Sequence, residues 1–335
     1  MAKRRTSAES GEDLLIARHF KPIARHPGAL GLVDDAALLA PPAGHELVLT
    51  ADAIVGGVHF FTEDPPDAVA RKALGVNLSD LAAKGAKPLG FLLTLALPKD
   101  RRGAWLKRFA RGLGAAARRS GCPLLGGDTV LTPGPVTISI TAFGTVRKGT
   151  MVKRSGARAG DRIVVTGTIG DAALGLKLRT DRGAAKQWKL DAGMRRHLTS
   201  RYLVPQPRNA VAEAVRRYAN ASMDISDGLA GDLGKLLRAS RVGATVEIAK
   251  VPLSKAARTA VNADPAAIQT VLTGGDDFEV FATVPPRALA AFRAMARRAG
   301  VATHDIGMVT AERGARFIDP EGRELRFRRA SFSHF

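Results

Sequence analysis

The sequence is poor in residues that several protein classes depend on. Its 335 residues include one cysteine, Cys122, so no disulfide can form within the chain. A chain without disulfides is typical of a reducing compartment, and we expect a cytoplasmic location. Cys122 lies in an apolar, strand-like stretch, which favours a small core residue over a nucleophile.

Long hydrophobic runs are also missing. The longest apolar stretch, 89–97, is far shorter than the roughly 20 residues that cross a bilayer as a helix. The basic segment at 1–6 is not followed by the apolar stretch that a signal peptide requires. We therefore expect neither a membrane span nor a cleaved leader.

Aromatic residues make up only 5% of the chain, although its net charge is +20. The charge would suit an anionic partner, but few aromatic side chains are available for stacking on bases, and no zinc-finger spacing or RNA-binding signature is present. These features argue against nucleic acid as the main partner. Much of the excess charge lies on a predicted helix face that we interpret as solvated, carrying Arg101, Arg102, Arg108, Arg111, Arg118 and Arg119.

The chain is long enough for two domains, and its 45% hydrophobic and 24% charged residues describe a globular protein. Predicted strands and helices follow one another along most of its length. The polar, glycine-containing stretch at 147–161 interrupts this pattern. We place a boundary there and predict domains at 1–147 and 148–335.

The most informative stretch is 221–232, where Asp224, Ser226 and Asp227 follow apolar residues and precede a predicted helix. If the backbone is extended, Asp224 and Ser226 project from one face, because side chains two apart in a strand point the same way. Asp227 has an alternative interpretation as the N-cap of the helix. Asp224 has no basic neighbour within four residues, and we predict a functional role for it.

Other acids occupy comparable places. Thr50 and Asp52 share a face of a predicted strand at 46–52, and Asp80 lies on a predicted helix at 67–85, either partly buried or paired with Lys84. The pair Asp34–Asp35 lies within an apolar stretch that we interpret as a buried strand. The remaining acids follow or adjoin glycine pairs: Asp128, Asp276 and Asp277.

These acids suggest one pocket of oxygen ligands, because no histidine or cysteine accompanies them at ligand spacing. Carboxylates suit Mg²⁺ and do not suit zinc. Magnesium with glycine turns indicates phosphoryl chemistry, in which the protein positions groups and neutralises charge. A glycine turn at Gly167 and Gly170 could hold a phosphate at a helix N-terminus, or could serve only as a tight turn.

Eight short motifs contain the acids and glycines described above: Val33-Asp34-Asp35, Thr50-Ala51-Asp52, Gly57-Val58-His59, Asn77-Leu78-Ser79-Asp80, Gly126-Gly127-Asp128, Arg154-Ser155-Gly156, Asp224-Ile225-Ser226-Asp227 and Gly274-Gly275-Asp276-Asp277-Phe278-Glu279. In order and spacing, from about residue 11 onward, the chain closely resembles the thiamine-monophosphate kinase family. Each motif alone is weak, but the combination is specific.

The resemblance implies the two-domain fold shared with aminoimidazole ribonucleotide synthetase. In that fold an N-terminal sheet pairs with that of a second subunit, and a C-terminal α/β domain closes over the nucleotide. The implied reaction is the Mg²⁺-dependent, in-line transfer of the ATP γ-phosphoryl group to thiamine phosphate, giving thiamine diphosphate and ADP. A homodimer is implied as well.

The resemblance also implies roles for individual residues. Catalysis would depend on Asp35, Asp52, Asp80, Asp128 and Asp224. These five would hold Mg²⁺ with help from Thr50 and Asp227. ATP would contact Gly127, Asp128, Arg154 and Ser226, and thiamine phosphate would contact His59 and Asp276.

The chain departs from the family pattern at Val33, where glycine is frequent, and at Ala51, where a second threonine is frequent. A late tryptophan found in some members has no counterpart, and Phe327 or Phe332 could replace it. Two alternatives remain: another ATP-dependent enzyme of the same superfamily, and a basic nucleic-acid-binding protein without catalysis.

Overall fold

The computed structural model describes residues 11–327, which form two compact units. Within the described residues, the first unit comprises 11–41, 51–74 and 89–143, and the second comprises 42–50, 75–88 and 144–327. The predicted domain boundary near 147 stays a prediction, because compact units and evolutionary domains are different divisions of a chain. None of the helices in the described part is long and apolar enough to cross a membrane.

The described residues up to 147 form three α-helices and four strands, besides short 3-10 and π segments. They are α1 (Gly11–Leu15), β1 (His45–Val55), α2 (Pro66–Ala83), β2 (Lys87–Leu97), α3 (Ala104–Ser120), β3 (Leu124–Leu131) and β4 (Thr137–Arg147). The four strands form a sheet in the order β1-β4-β2-β3, in which β2 and β3 run parallel. The strand predicted at 46–52 and the helix predicted at 67–85 are therefore present with similar bounds.

Helix α3, in the first unit, buries its apolar residues and exposes its arginines. Leu106, Phe109 and Leu113 are buried, whereas Arg108 and Arg111 on the opposite side are exposed. This is the periodicity of an amphipathic helix. The arginines of this helix, Arg108, Arg111, Arg118 and Arg119, therefore lie on a solvated face, as predicted.

Cys122 follows α3 and is fully buried. Its burial raises the pKa of its thiol to about 12. A thiol with this pKa is not a nucleophile near neutral pH, because the thiolate is the reactive form. Cys122 is thus a core residue, as the sequence indicated.

The second unit is built on a larger sheet. Its strands are β5 (Arg162–Thr166), β6 (Ala221–Asp224), β7 (Gly243–Glu247), β8 (Val280–Val284), β9 (Thr303–Thr310) and β10 (Gly314–Ile318), in the order β10-β7-β9-β5-β8-β6. Its helices are α4 (Asp171–Thr180), α5 (Ala184–Gln187), α6 (Ala192–Leu203), α7 (Ala212–Tyr218), α8 (Leu229–Ser240), α9 (Lys255–Ala263), α10 (Ala267–Thr273) and α11 (Pro286–Arg298).

Strand β5 lies between two helical layers. Ile163 and Val165 pack with residues of α4, α6, α8 and α10, whereas Val164 packs with Phe292 of α11 and Val215 of α7. A strand that is buried on both faces has a continuous run of apolar residues rather than alternating apolar and polar residues. The Ile-Val-Val sequence is therefore explained by this position in the sheet.

The N-terminal segment differs from what its sequence predicts. Its apolar spacing predicts an amphipathic helix over 12–24, and the segment is helical but mixed, because α1 passes into a π-helix at Ile16–Phe20 and a 3-10 helix at Lys21–Ile23. The predicted strand around Asp34 and Asp35 is absent, and both acids are exposed. A 3-10 helix, Pro27–Leu32, precedes them with left-handed backbone at Leu30, which is incompatible with an extended strand.

Candidate active site

Helix α2 brings Asp80 to the second unit in a half-buried position, as one of the two interpretations of this residue predicted. The hydroxyl of Thr50 on β1 donates to its carboxylate over 2.5 Å. The alternative, an exposed pair with Lys84, is wrong, because Lys84 is largely buried and its ammonium is directed elsewhere. The structure thus joins two residues that were predicted as metal ligands.

Asp224 ends β6 and is buried. Burial raises the pKa of its carboxyl well above the usual value, and the negative charge of Asp80 raises it further. The side chain of Ser79, beside Asp80 on α2, hydrogen-bonds Asp224 and partly opposes this effect. The two carboxylates predicted to cooperate are therefore close enough to repel one another.

Lys84 lies just beyond the end of α2 and was not predicted to contribute to the site. Its ammonium donates to the carbonyl oxygen of Ser222 on β6 over 2.8 Å. Burial, together with the positive charge of Arg154, lowers the pKa of Lys84 to about 8, while Asp224 and Asp80 act in the opposite direction. Sequence could not reveal the contact with Ser222, because the two residues are far apart along the chain.

The donor set around Asp80 and Asp224 fits a hard divalent cation. It offers two carboxylates and a hydroxyl, and a cation between the acids would offset the repulsion that raises the pKa of Asp224. Within residues 11–327, however, no three His, Cys, Asp or Glu side chains are grouped as a preformed metal centre. A cation here would therefore need further oxygen ligands, such as water or substrate phosphate.

Ser226 and Asp227 lie in the turn between β6 and α8, and Asp232 holds this turn. Both backbone amides donate to Oδ2 of Asp232, over 2.9 and 2.8 Å. Lys235 pairs with Asp227 and with Asp232. The interpretation of Asp227 as an N-cap was wrong, because Gly228 occupies that position and Asp232 satisfies the amides from within the helix.

Arg154 lies in a loop that is fixed by Ser240 at the end of α8. The hydroxyl of Ser240 donates to the carbonyl oxygen of Arg154 over 2.7 Å and accepts from the amides of Gly156 and Ala157 over 3.1 Å. The Arg154 side chain is exposed. A cationic side chain on an anchored loop is suited to binding phosphate, and the contact of Arg154 with ATP stays a prediction.

Asp276 follows the glycine pair at 274–275, and its amide donates to the carbonyl oxygen of Ser226 over 2.8 Å. The next residue, Asp277, is fully buried and accepts from the amide of Gly170 at the start of α4 over 2.8 Å. The amide of Gly170, which could have bound a phosphate, therefore donates to the carboxylate of Asp277 instead. The tight-turn alternative for Gly167 and Gly170, whose φ angles are +58° and +84°, is favoured.

The other predicted residues lie in the first unit. Asp35 is in an exposed bend, and Asp52 and Asp128 lie within β1 and β3 rather than at strand ends. Nδ1 of His59 accepts from the amide of Val55 over 3.0 Å. A neutral His59 therefore carries its proton on Nε2.

Gly127 pairs with Leu93 in the register of β2 and β3. A Cβ atom at this position would lie 1.8 Å from the carbonyl oxygen of Leu93. Packing between the strands therefore requires the glycine, whatever its role toward ATP.

A buried ionic cluster supports the loop that carries Asp276. Glu279 is fully buried and accepts from Arg201 over 2.8 Å, from Arg208 over 2.5 and 2.6 Å, and from Thr166 over 2.7 Å. Four donors on one buried carboxylate satisfy most of its hydrogen-bonding capacity. Sequence placed Glu279 in a family motif but gave no indication of its partners.

Asp171, at the first position of α4, is another buried acid. It accepts from Thr168 over 2.6 Å, from Ser254 over 2.5 Å and from Nε2 of His197 over 3.0 Å. Although burial acts in the opposite direction, these hydrogen bonds lower the pKa of Asp171. The bond to Asp171 raises the pKa of His197, against the effect of partial burial.

We expect the His197–Asp171 pair to make stability depend on pH. The pKa of His197 is raised in the folded state. Its contribution to the free energy of unfolding is therefore complete below the unfolded pKa of about 6.5 and is lost as pH rises through the folded pKa. The contribution of Asp171 to the same free energy is lost in the acid range, as pH falls through its lowered pKa. Thermal unfolding between pH 5 and 9 should therefore show a decline in wild-type stability above about pH 6.5 that is reduced in His197→Asn.

The control for this measurement is His45→Asn, since His45 makes only a local hydrogen bond to the carbonyl oxygen of Ala43. Its pH profile should follow that of the wild type. A His197→Asn profile parallel to the wild-type profile throughout this range would contradict the assignment.

Comparison with known proteins places the chain in a family. The model of the AIR synthase related protein, N-terminal domain, matches residues 33–146, and that of the C-terminal domain matches residues 158–320. The chain is 40% identical over 311 residues to thiamine-monophosphate kinase of Caulobacter vibrioides, covering 92% of this chain and 84% of that protein. The chain belongs to the thiamine-monophosphate kinase family.

Solved structures support the assignment to the thiamine-monophosphate kinase family. The enzyme from Stenotrophomonas maltophilia K279a is 35% identical, with a TM-score of 0.82 and coverage of 95% of this chain and 98% of that one. The structure of AaThiL complexed with AMPPCP and TMP is 28% identical, with a TM-score of 0.76 and coverage of 98% and 100%. The predicted family, fold class and enzyme class are thereby confirmed.

Proposed function

We propose that this chain transfers the γ-phosphoryl group of ATP to the phosphate of thiamine phosphate, releasing thiamine diphosphate and ADP. The observation that carries the proposal is the full-length likeness to thiamine-monophosphate kinases, one of which was solved with AMPPCP and TMP. The arrangement around Asp80 and Asp224 supports it, because two repelling carboxylates with a hydroxyl suit a site for a cation bound to phosphate.

The proposed metal ligands are the oxygen-bearing side chains that the family resemblance implies. Mg²⁺ would be held by oxygen atoms of Asp35, Thr50, Asp52, Asp80, Asp128, Asp224 and Asp227. When bound, it would neutralise the charge of the transferring phosphoryl group and orient its oxygens. The contribution of the chain is to hold those carboxylates in place, as Thr50 and Ser79 do for Asp80 and Asp224.

The proposed ATP contacts are Gly127, Asp128, Arg154 and Ser226. Two of them belong to anchored turns: Ser240 fixes the loop of Arg154, and Asp232 fixes the amide of Ser226. Anchored groups lose little freedom when they bind, so they can hold the γ-phosphate in line for attack. No covalent enzyme intermediate is needed, because the acceptor phosphate is itself anionic.

The proposed contacts to thiamine phosphate are His59 and Asp276. With Nδ1 accepting from Val55, His59 would present Nε2–H as a hydrogen-bond donor suited to a phosphate oxygen. Phe327 and Phe332 are the two aromatic residues proposed for covering the thiamine ring. Phe327 packs edge-on against Phe317 with ring centroids 5.1 Å apart, and Phe332 lies outside the described residues.

The direct test is to incubate the purified protein with Mg-ATP and thiamine phosphate and to separate the products by chromatography. Thiamine diphosphate should accumulate in step with ADP, and omission of either Mg²⁺ or thiamine phosphate should abolish its formation. ADP release that is indifferent to thiamine phosphate would contradict the proposed acceptor.

Replacement of His59 by alanine should raise the Michaelis constant for thiamine phosphate more than that for ATP. We expect an increase of about tenfold, which corresponds to loss of one charge-assisted hydrogen bond. Steady-state kinetics with each substrate varied in turn would measure it, with His45→Ala as the matched control. Equal increases for both substrates would remove His59 from the thiamine phosphate site.

We also propose a homodimer in the cytoplasm. Strand β1 lies at the edge of its sheet, and its Leu47 and Leu49 side chains are 36% and 60% exposed. An exposed edge strand with large apolar side chains is unfavourable in water unless something covers it. A second copy of the chain is the occupant that the family resemblance implies.

A further inference from the structure

The loop that carries Asp276 has an unusual backbone. Asp276 and Phe278 have φ angles of +70° and +49°, in the left-handed region that residues other than glycine rarely adopt. Phe278 is the less expected of the two, because its side chain is bulky and buried. A backbone of this kind persists only where the surrounding structure fixes it, and it is frequent at functional sites.

Asp277 lies between these two residues and points into the protein. Its carboxylate is fully buried, and Oδ2 accepts from the amide of Gly170 over 2.8 Å. Oδ1 has no hydrogen-bond partner in the described part of the chain. Burial raises the pKa of Asp277 well above the usual value, so a neutral side chain would suit the position.

Hydrogen bonds hold the loop on both sides of Asp277. The amide of Asp276 donates to the carbonyl oxygen of Ser226, and that of Phe278 donates to the carbonyl oxygen of Ile225, each over 2.8 Å. The amide of Ile225 in turn donates to the carbonyl oxygen of Glu279 over 2.8 Å. The loop is thus tied along one edge to the segment that follows β6, while Asp277 ties it to α4.

We propose that Asp277 is a positioning residue, which anchors the loop to α4 so that Asp276 is held toward thiamine phosphate. This inference rests on the proposed function for its substrate. Its structural basis is the single hydrogen bond between a buried carboxylate and the start of a helix, placed between two left-handed residues.

The hydrogen bond from Gly170 to Asp277 should affect the binding of thiamine phosphate more than the binding of ATP. The Ser226 amide, on the proposed ATP side, is held separately by Asp232. Loss of the Asp277 anchor would release Asp276 but leave the Ser226 turn in place. The Michaelis constant for thiamine phosphate should therefore rise more than the constant for ATP.

The first test is Asp277→Ala, which removes the acceptor for Gly170. We expect the Michaelis constant for thiamine phosphate to rise about 10- to 100-fold, the range expected when a binding group is displaced by about an ångström. The constant for ATP should stay within about threefold. Hydrogen–deuterium exchange of peptides covering 274–280 should show faster exchange, because the amides of Asp276 and Phe278 lose their protection.

If the alanine variant does not fold, two further variants test the positioning role of Asp277. Asp277→Asn keeps an acceptor oxygen in a neutral side chain and should restore the wild-type constant for thiamine phosphate. Asp277→Glu keeps the acid but overfills a fully buried site, so it should raise that constant. Equal constants in the asparagine and glutamate variants would overturn the proposal.

The matched control is Asp161→Asn. Asp161 is a buried aspartate of the same unit that accepts from the amide of Arg158 over 2.9 Å and from Asn220 over 3.0 Å. Its replacement should leave both Michaelis constants and the exchange of 274–280 unchanged. A folded Asp277→Ala variant with unchanged exchange and unchanged constants would overturn the proposal.

The exchange measurement separates this inference from the proposed function. If the wild type forms no thiamine diphosphate, the proposed function fails. Faster exchange of 274–280 in Asp277→Ala would still support the anchor, and unchanged exchange would overturn it.

Discussion

Replacement of Asp224 by asparagine is expected to lower turnover by about 10²- to 10³-fold and, at the same time, to stabilise the metal-free protein. Loss of one preorganised charged group from a phosphoryl-transfer site costs about this much in rate. The stability gain follows from burial and from Asp80, which together raise the pKa of Asp224. Asparagine keeps the shape and removes the buried charge.

The stability gained by Asp224→Asn should increase with pH. A carboxyl whose pKa is raised on folding binds more protons in the folded than in the unfolded state, so stability falls as pH rises above the unfolded value of about 3.9. Asp224→Asn removes this loss. Thermal unfolding in the presence of EDTA should therefore show a larger gain at pH 8 than at pH 5.

Rates from the coupled ADP assay and melting curves would test both parts. Asp161→Asn, which also removes a buried carboxylate, should leave turnover unchanged. Asp80→Asn and Asp128→Asn should also lower turnover by orders of magnitude. An Asp224→Asn enzyme with near-normal turnover at saturating Mg²⁺ would count against a role for this acid in catalysis.

Replacement of Glu279 by glutamine is expected to cost about 3–5 kcal/mol of unfolding free energy. The wild-type carboxylate is fully buried and accepts from Arg201, Arg208 and Thr166. Glutamine has a similar shape but leaves two guanidinium groups without a counter-charge, and Arg201 is itself only 5% exposed. An uncompensated buried charge is among the most costly changes in a protein interior.

Urea unfolding followed by tryptophan fluorescence would measure this cost. Trp188 packs in the core of the second unit, so a Trp105→Phe background would make the signal specific for that unit. Glu321→Gln is the matched control, since Glu321 is 61% exposed and its replacement should change stability by no more than about 0.5 kcal/mol. Equal transition midpoints for Glu279→Gln and this control would refute the assignment.

Local patterns predicted most of the secondary structure and the family. Strand β5 follows from its continuous apolar run and helix α3 from its apolar periodicity, because each pattern reflects which faces of the element are buried. The motif around Asp224 was found for a related reason: an acid at the end of an apolar strand is unusual in any fold. These features are encoded by neighbouring residues, and a single sequence displays them.

The errors and omissions arise where distant segments decide the outcome. Asp34 and Asp35 looked like part of a buried strand, but the backbone around Leu30 turns before them and leaves both acids exposed. Asp232 and Asp277 were not predicted as anchors because an acid looks the same in sequence whether it caps a turn or faces water. Only the tertiary structure shows which amides they accept from.

The burial of Cys122 has a practical consequence for experiments in solution. The only sulfhydryl in the chain is masked, with a pKa of about 12, so maleimide reagents should leave the unaltered enzyme unmodified. A cysteine introduced at the exposed Arg313 would then take up a fluorophore or spin label at one site, without prior removal of the natural one. Ligand-dependent motions could be followed by spectroscopy in an otherwise unaltered enzyme.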